Sequence, residues 1–103
     1  MNEILQTIIQ QLGGYSRLMI TTGCKISYCN EFDTITFTFP RHSKGKCKSI
    51  AIKYDYGWDA YNITTRNLKG NIMKNIEGVY CDQLIPIFER ETGYKISGLK
   101  IIF

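Results

Sequence analysis

The sequence predicts an α+β domain: an N-terminal helix, five or six mostly antiparallel strands, a C-terminal helix packed on the sheet and a final short strand. Three observations predict it. Apolar residues recur at three- and four-residue spacing near both ends of the chain. They alternate with threonine and other polar residues through the middle, and the links between alternating stretches are too short for crossover helices. With 103 residues and 44% hydrophobic content, the chain suffices for one core without disulfide staples, and residues 1–103 are expected to form a single domain.

Asn2 to Leu12 sets Ile4, Leu5, Ile8, Ile9 and Leu12 on one side of a helix, with Asn2 as its cap and Gly13-Gly14 as its stop. From Arg17 to Arg66 the pattern changes to alternation, and Val, Ile, Thr, Tyr and Phe replace helix formers. Leu18 to Thr22 and Lys25 to Cys29 read as strands flanking Gly23, itself a bulge or a turn. Ile35, Phe37 and Phe39 alternate with Thr34, Thr36 and Thr38, a strand with one buried face that Pro40 ends. Ile50, Ile52 and Tyr54 repeat the pattern, as do Tyr61 and Ile63, with Tyr56-Gly57-Trp58 between them as a hairpin turn. A shorter strand is expected over Asn71 to Asn75.

Gly78 to Tyr94 carries a stripe of Tyr80, Leu84, Ile87 and Phe88, so a second helix is expected there, capped at Glu77 or Gly78 and stopped by Thr92-Gly93. Pro86 conflicts with its interior: it removes a backbone donor and costs roughly 3 kcal/mol there. Either a kink or a late start near Ile85 follows. Tyr80, Leu84 and Phe88 are expected to pack on Ile35, Phe37 and Phe39 or on Ile50 and Ile52. Leu99, Ile101 and Phe103 alternate in a final strand within Lys95 to Phe103.

Several short motifs occur in a recognisable order: Gln11-Leu12-Gly13-Gly14, Ile20-Thr21-Thr22-Gly23-Cys24-Lys25, Phe37-Thr38-Phe39-Pro40, and Val79-Tyr80-Cys81-Asp82-Gln83-Leu84 through Thr92-Gly93-Tyr94. In this the chain resembles small uncharacterised proteins of phages, prophages and plasmids, over nearly its whole length. It departs from them at Pro86 and in the tail after Lys95. The resemblance implies a mobile-element origin and brings no activity with it.

No stretch of about 18 apolar residues occurs, and the start Met-Asn-Glu-Ile lacks the basic-then-apolar pattern of an export signal, so a soluble protein of the host cytoplasm, with no membrane partner, is expected. Cys24, Cys29, Cys47 and Cys81 are accordingly expected as free thiols. Cys24 and Cys29 stand five apart and His42 is the lone histidine, which is not zinc-ligand spacing. No metal or cofactor is expected. The Asn62-Ile63-Thr64 sequon is idle in that compartment.

Arg41, Lys44, Lys46 and Lys48 crowd beside Gly45 between two strands, the sharpest charge feature of the chain. Residues 41–74 hold eight bases against Asp55 and Asp59, within a net charge of +4 overall. Such a patch contacts phosphates or steers an acidic protein partner, and a solvated loop carries the same pattern. Tyr54, Tyr56, Trp58 and Tyr61 surround the neighbouring turn, and alternate strand residues cannot all face inward, so some ring area is expected outside. Trp58 then either anchors a partner or folds over a core edge. No nucleophile stands beside a base, no carboxylates pair in a cleft, and Gly13-Gly14 lacks the Lys-Ser/Thr of a phosphate loop.

The expected function is therefore a non-enzymatic binder of mobile-element origin, using Arg41, Lys44, Lys46, Lys48, Tyr56 and Trp58 on a host protein such as a nucleic-acid-guided defence nuclease. That would make it an anti-defence, anti-CRISPR-type inhibitor. One alternative is a nucleic-acid-binding module that uses the basic loop for phosphates and the rings for stacking. Another is a structural phage protein that self-associates through a terminal helix or strand, so monomer and homodimer both stand open.

Overall fold

The computed structural model describes residues 1–40 and 47–96. Helix α1 spans Glu3–Gln11, α2 Tyr15–Thr22, and the strands follow as β1 (Lys25–Cys29), β2 (Thr34–Thr38), β3 (Ser49–Asp55), β4 (Ala60–Arg66) and β5 (Ile72–Val79). A single 3-10 turn, Cys81–Gln83, leads into α3, Leu84–Thr92. The five strands form one antiparallel sheet in chain order, a meander. The α+β architecture is the expected one.

Asn2 caps α1 as its sequence position implies: Leu5 N donates to Asn2 Oδ1 at 2.9 Å. The same residue ties the helix to the β1–β2 turn, since Asn2 Nδ2 donates to Asp33 Oδ1 at 2.8 Å and Asn2 N to Asn30 Oδ1 at 2.9 Å. Leu5, Ile8 and Leu12 are thereby laid on the sheet and fully buried.

Leu18 to Thr22 is helix, not strand. Gly13 and Gly14 take positive φ and reverse the chain, which restarts as α2 with Leu18 and Thr22 buried one turn apart. The Thr22 hydroxyl bonds back to Leu18 O at 2.7 Å, and Gly23, at φ 62°, is the left-handed stop of that helix rather than a strand bulge. β-branched composition pointed to a strand, and the paired breakers on each side overrode it.

The second correction concerns Gly78 to Tyr94. β5 runs to Val79, so Glu77 and Gly78 do not cap a helix; they bulge opposite Asn62, because Tyr61 pairs with Val79 while Ile63 pairs with Ile76. Gly78 supplies φ 68° there, and its N–H donates to Asn62 Oδ1 at 3.3 Å. Pro86 falls in the first turn of α3, where backbone donors have no intrahelical partner, so the late start was the right alternative. Gly93, at φ 81°, ends α3.

α3 lays Leu84 and Phe88 into the core, and Phe88 meets Phe37 and Phe39 edge-on at 5.9 and 6.1 Å between ring centroids. Tyr80, expected beside them, is exposed, because it precedes the helix and lies beyond its stripe. Ile35, Ile50, Ile52 and Ile63 complete one cluster between the sheet and the helices. The other face is small and polar: Ser27, Thr36, Ala51, Thr64 and Asn75 stand in one cross-strand row. Ile96 is buried, and the final strand expected after it lies outside the described residues. No helix among the described residues is long and apolar enough to cross a membrane.

Candidate functional site

A meander sorts its turns. The β1–β2 and β3–β4 turns and the exit of β5 lie at one end of the sheet; the close of β2, the start of β3 and the β4–β5 connection lie at the other. Lys48, expected to share one surface with the aromatic turn, is therefore separated from it by the length of β3, about 20 Å at a strand's rise per residue.

Arg41, Lys44 and Lys46, with His42, lie outside the described residues. Lys48 is described and is engaged by backbone: its Nζ donates to Phe39 O at 2.6 Å and to Pro40 O at 3.3 Å. At the same end Lys25 and Arg66 share a cross-strand row with Thr38 and Ser49, and Arg66 Nη1 donates to Gly70 O at 2.9 Å.

Tyr56 and Trp58 occupy the other end. Asp55 closes β3 opposite Ala60 and accepts from Gly57 N at 2.9 Å, which folds Tyr56 to Asp59 into a four-residue turn. Asp59 takes the left-handed φ of 48°. Chain reversal turns both rings outward, leaving Tyr56 68% and Trp58 74% exposed, so Trp58 does not fold over the core. Three further aromatics that the sequence reading did not single out as surface groups stand exposed at this end: Tyr28 near the close of β1, Phe32 in the β1–β2 turn and Tyr80 just past β5. Glu31, Asp33, Asp55, Asp59, Glu77 and Asp82 surround them, with Glu3 at the adjoining start of α1. Lys53 stands among them, its Nζ 5.9 Å from the Phe32 ring centroid.

Between α1 and the β3–β4 hairpin lies a cleft of about 400 Å³ lined by Ile4, Thr7, Gln11, Tyr54, Tyr56, Asp59 and Tyr61. Tyr54 meets Tyr56 at 4.8 Å and Tyr61 at 5.8 Å between ring centroids. The Tyr54 hydroxyl donates to the Asp59 carboxylate, and that bond pushes its ionisation up to about 12. Tyr61 donates to Gln11 Oε1 at 2.7 Å. Tyr56 is held protonated, above the usual phenol value, by its hydrogen bond to Asp33.

Asp33 and Asp59 were not singled out as site residues from the sequence. Their signal was available in Asn30-Glu31-Phe32-Asp33, a turn-forming segment between two alternating runs, once alternate turns are placed at one end. Among the described residues no group of three or more His, Cys, Asp or Glu is placed to hold a metal ion. No family model matches the chain, and neither a curated protein nor a solved structure does.

Proposed function

We propose that the protein is a non-catalytic binding module that docks the turn end of its sheet on a basic surface of another protein. One observation carries the reading: Tyr28, Phe32, Tyr56, Trp58 and Tyr80 are each exposed at the same end of the sheet, which also carries Glu31, Asp33, Asp55, Asp59, Glu77 and Asp82. Aromatic rings supply contact area at small entropic cost and dominate interface energetics, and the surrounding charge selects a positive partner and speeds the encounter. The ordered phage- and plasmid-like motifs support a mobile-element origin and hence a host target. A defence nuclease fits the charge, because a groove that binds nucleic acid is basic.

A second reading, nucleic-acid binding, is favoured by Lys25, Lys48, Arg66 and Lys69 at the opposite end. It would lack Trp58 and Tyr56 as stacking partners, which lie a strand's length away.

Capture from host lysate separates the two. Protein recovered on the immobilised wild type after nuclease treatment, and lost with Trp58→Ala but not with Lys25→Glu/Arg66→Glu, is the expected result. Recovery abolished by nuclease and by the basic-end variant would assign the protein to nucleic acid instead. Trp58→Ala is expected to weaken the purified complex by roughly 2 kcal/mol or more.

A further inference from the structure

We propose that the cleft between α1 and the β3–β4 hairpin receives the cationic side chain, arginine or lysine, of a protein partner. The inference rests on the turn end being a partner surface only for the source of the cation; the cleft's preference for positive charge follows from its own hydrogen bonds.

Every hydroxyl proton around the cleft is committed elsewhere. Tyr54 donates to Asp59, Tyr56 to Asp33, Tyr61 to Gln11 Oε1, and Thr7 Oγ1 to Glu3 O at 2.8 Å. Apart from the Gln11 amide, the cleft therefore offers oxygen lone pairs and ring faces. An anion finds few donors there. Guanidinium and ammonium groups carry donors only, so they are the side chains that such a lining satisfies.

The rings act in the same sense, because their faces carry the negative part of the aromatic quadrupole and attract cations held over them. Asp59 has one carboxylate oxygen occupied by Tyr54, while its other has no hydrogen-bond partner among the described residues. The second oxygen is available to a charge-assisted bond. Lys53 sits over Phe32 in the neighbouring turn and does not line the cleft.

Amide NMR spectra titrated with N-acetyl-arginine amide, N-acetyl-lysine amide and the neutral isostere N-acetyl-citrulline amide test this. Saturable shifts at Thr7, Gln11, Tyr56 and Asp59 are expected with at least one cation, with no saturation by citrulline. Asp59→Asn, which keeps a residue that tolerates left-handed φ, is expected to weaken the cation about tenfold. Tyr56→Ala, at an exposed position outside the core, provides a second variant with a loss in the same direction. Absence of saturable shifts, equal binding of citrulline, or unchanged affinity in the folded variants would overturn the inference. Partner capture by the Trp58 variant tests the surface and this titration tests the cleft, so the failure of one is distinguishable from the failure of the other.

Discussion

Phe88 stands edge-on to Phe37, its ring plane turned 84° from that of its partner, and the pair joins α3 to the centre of β2. Both rings are fully buried, so truncating Phe88 removes a contact to Phe37 and a second to Phe39 and leaves a cavity that rigid neighbours fill only in part. Phe88→Ala is expected to cost about 3 to 5 kcal/mol, read from urea unfolding midpoints. A variant as stable as the parent would refute the placement of α3.

Glu91 provides a pH-dependent contribution. Burial alone pushes its carboxyl up, but hydrogen bonds from Arg90 Nε at 2.8 Å and Lys74 Nζ at 3.2 Å outweigh that and hold it below the ordinary carboxylate value. A depressed folded-state value means stability present above the unfolded value and lost as pH falls through the folded one. Glu91→Gln is expected to cost about 1 kcal/mol at neutral pH, discounted because both cations are largely exposed, and the gap to wild type should close below pH ~4. Denaturation at neutral and acid pH measures both.

Two pairs of thiols are expected to react differently. Cys24 and Cys47 are buried, and burial, aided by the negative charge of Glu91, pushes the Cys47 thiol up to about 11. Cys29 and Cys81 are exposed. Iodoacetamide on the native protein should label Cys29 and Cys81 first, with Cys24 and Cys47 labelled only after denaturation; mass mapping that finds Cys47 among the fast sites would contradict the fold.

Gly78 tests the bulge. A Cβ built there meets nothing within 4 Å, so the cost of Gly78→Ala is the left-handed backbone alone, about 1 kcal/mol. Gly78→Asn should cost less, since asparagine tolerates that conformation. Equal stability of all three proteins in thermal melts would show that the positive φ is not required.

The sequence made the sheet legible wherever alternation was uninterrupted. Ile35 and Phe37, Ile50 and Ile52, and Tyr61 and Ile63 all face the core as their period demands. It misled at Leu18 to Thr22, where propensity favoured a strand and the outcome depended on Gly13, Gly14 and Gly23 acting together as helix breaks. The site was half legible: outward aromatics at Tyr56 and Trp58 follow from turn geometry alone. Of the basic segment grouped with those rings, Lys48 stands at the other end of β3, because counting charge along the chain ignores that each strand reverses direction; Arg41, Lys44 and Lys46 lie outside the described residues. Phe32 and Asp33 are distant in sequence from Trp58 and Asp59 yet share their end of the sheet, and that neighbourhood exists only after the meander is folded.

The reversal of each strand has an electrical consequence. Among the described residues carboxylates gather at the end holding Asp33, Asp55, Asp59 and Glu77, while Lys25, Lys48, Arg66 and Lys69 mark the other, so the charge of the sheet is separated along its strands. The chain's modest net charge of +4 understates that separation. Near neutral pH and at low salt, such a particle can adhere to an anion exchanger by one pole and to a cation exchanger by the other. Salt should release it from both, because each pole acts over only about 10 Å at 0.1 M ionic strength.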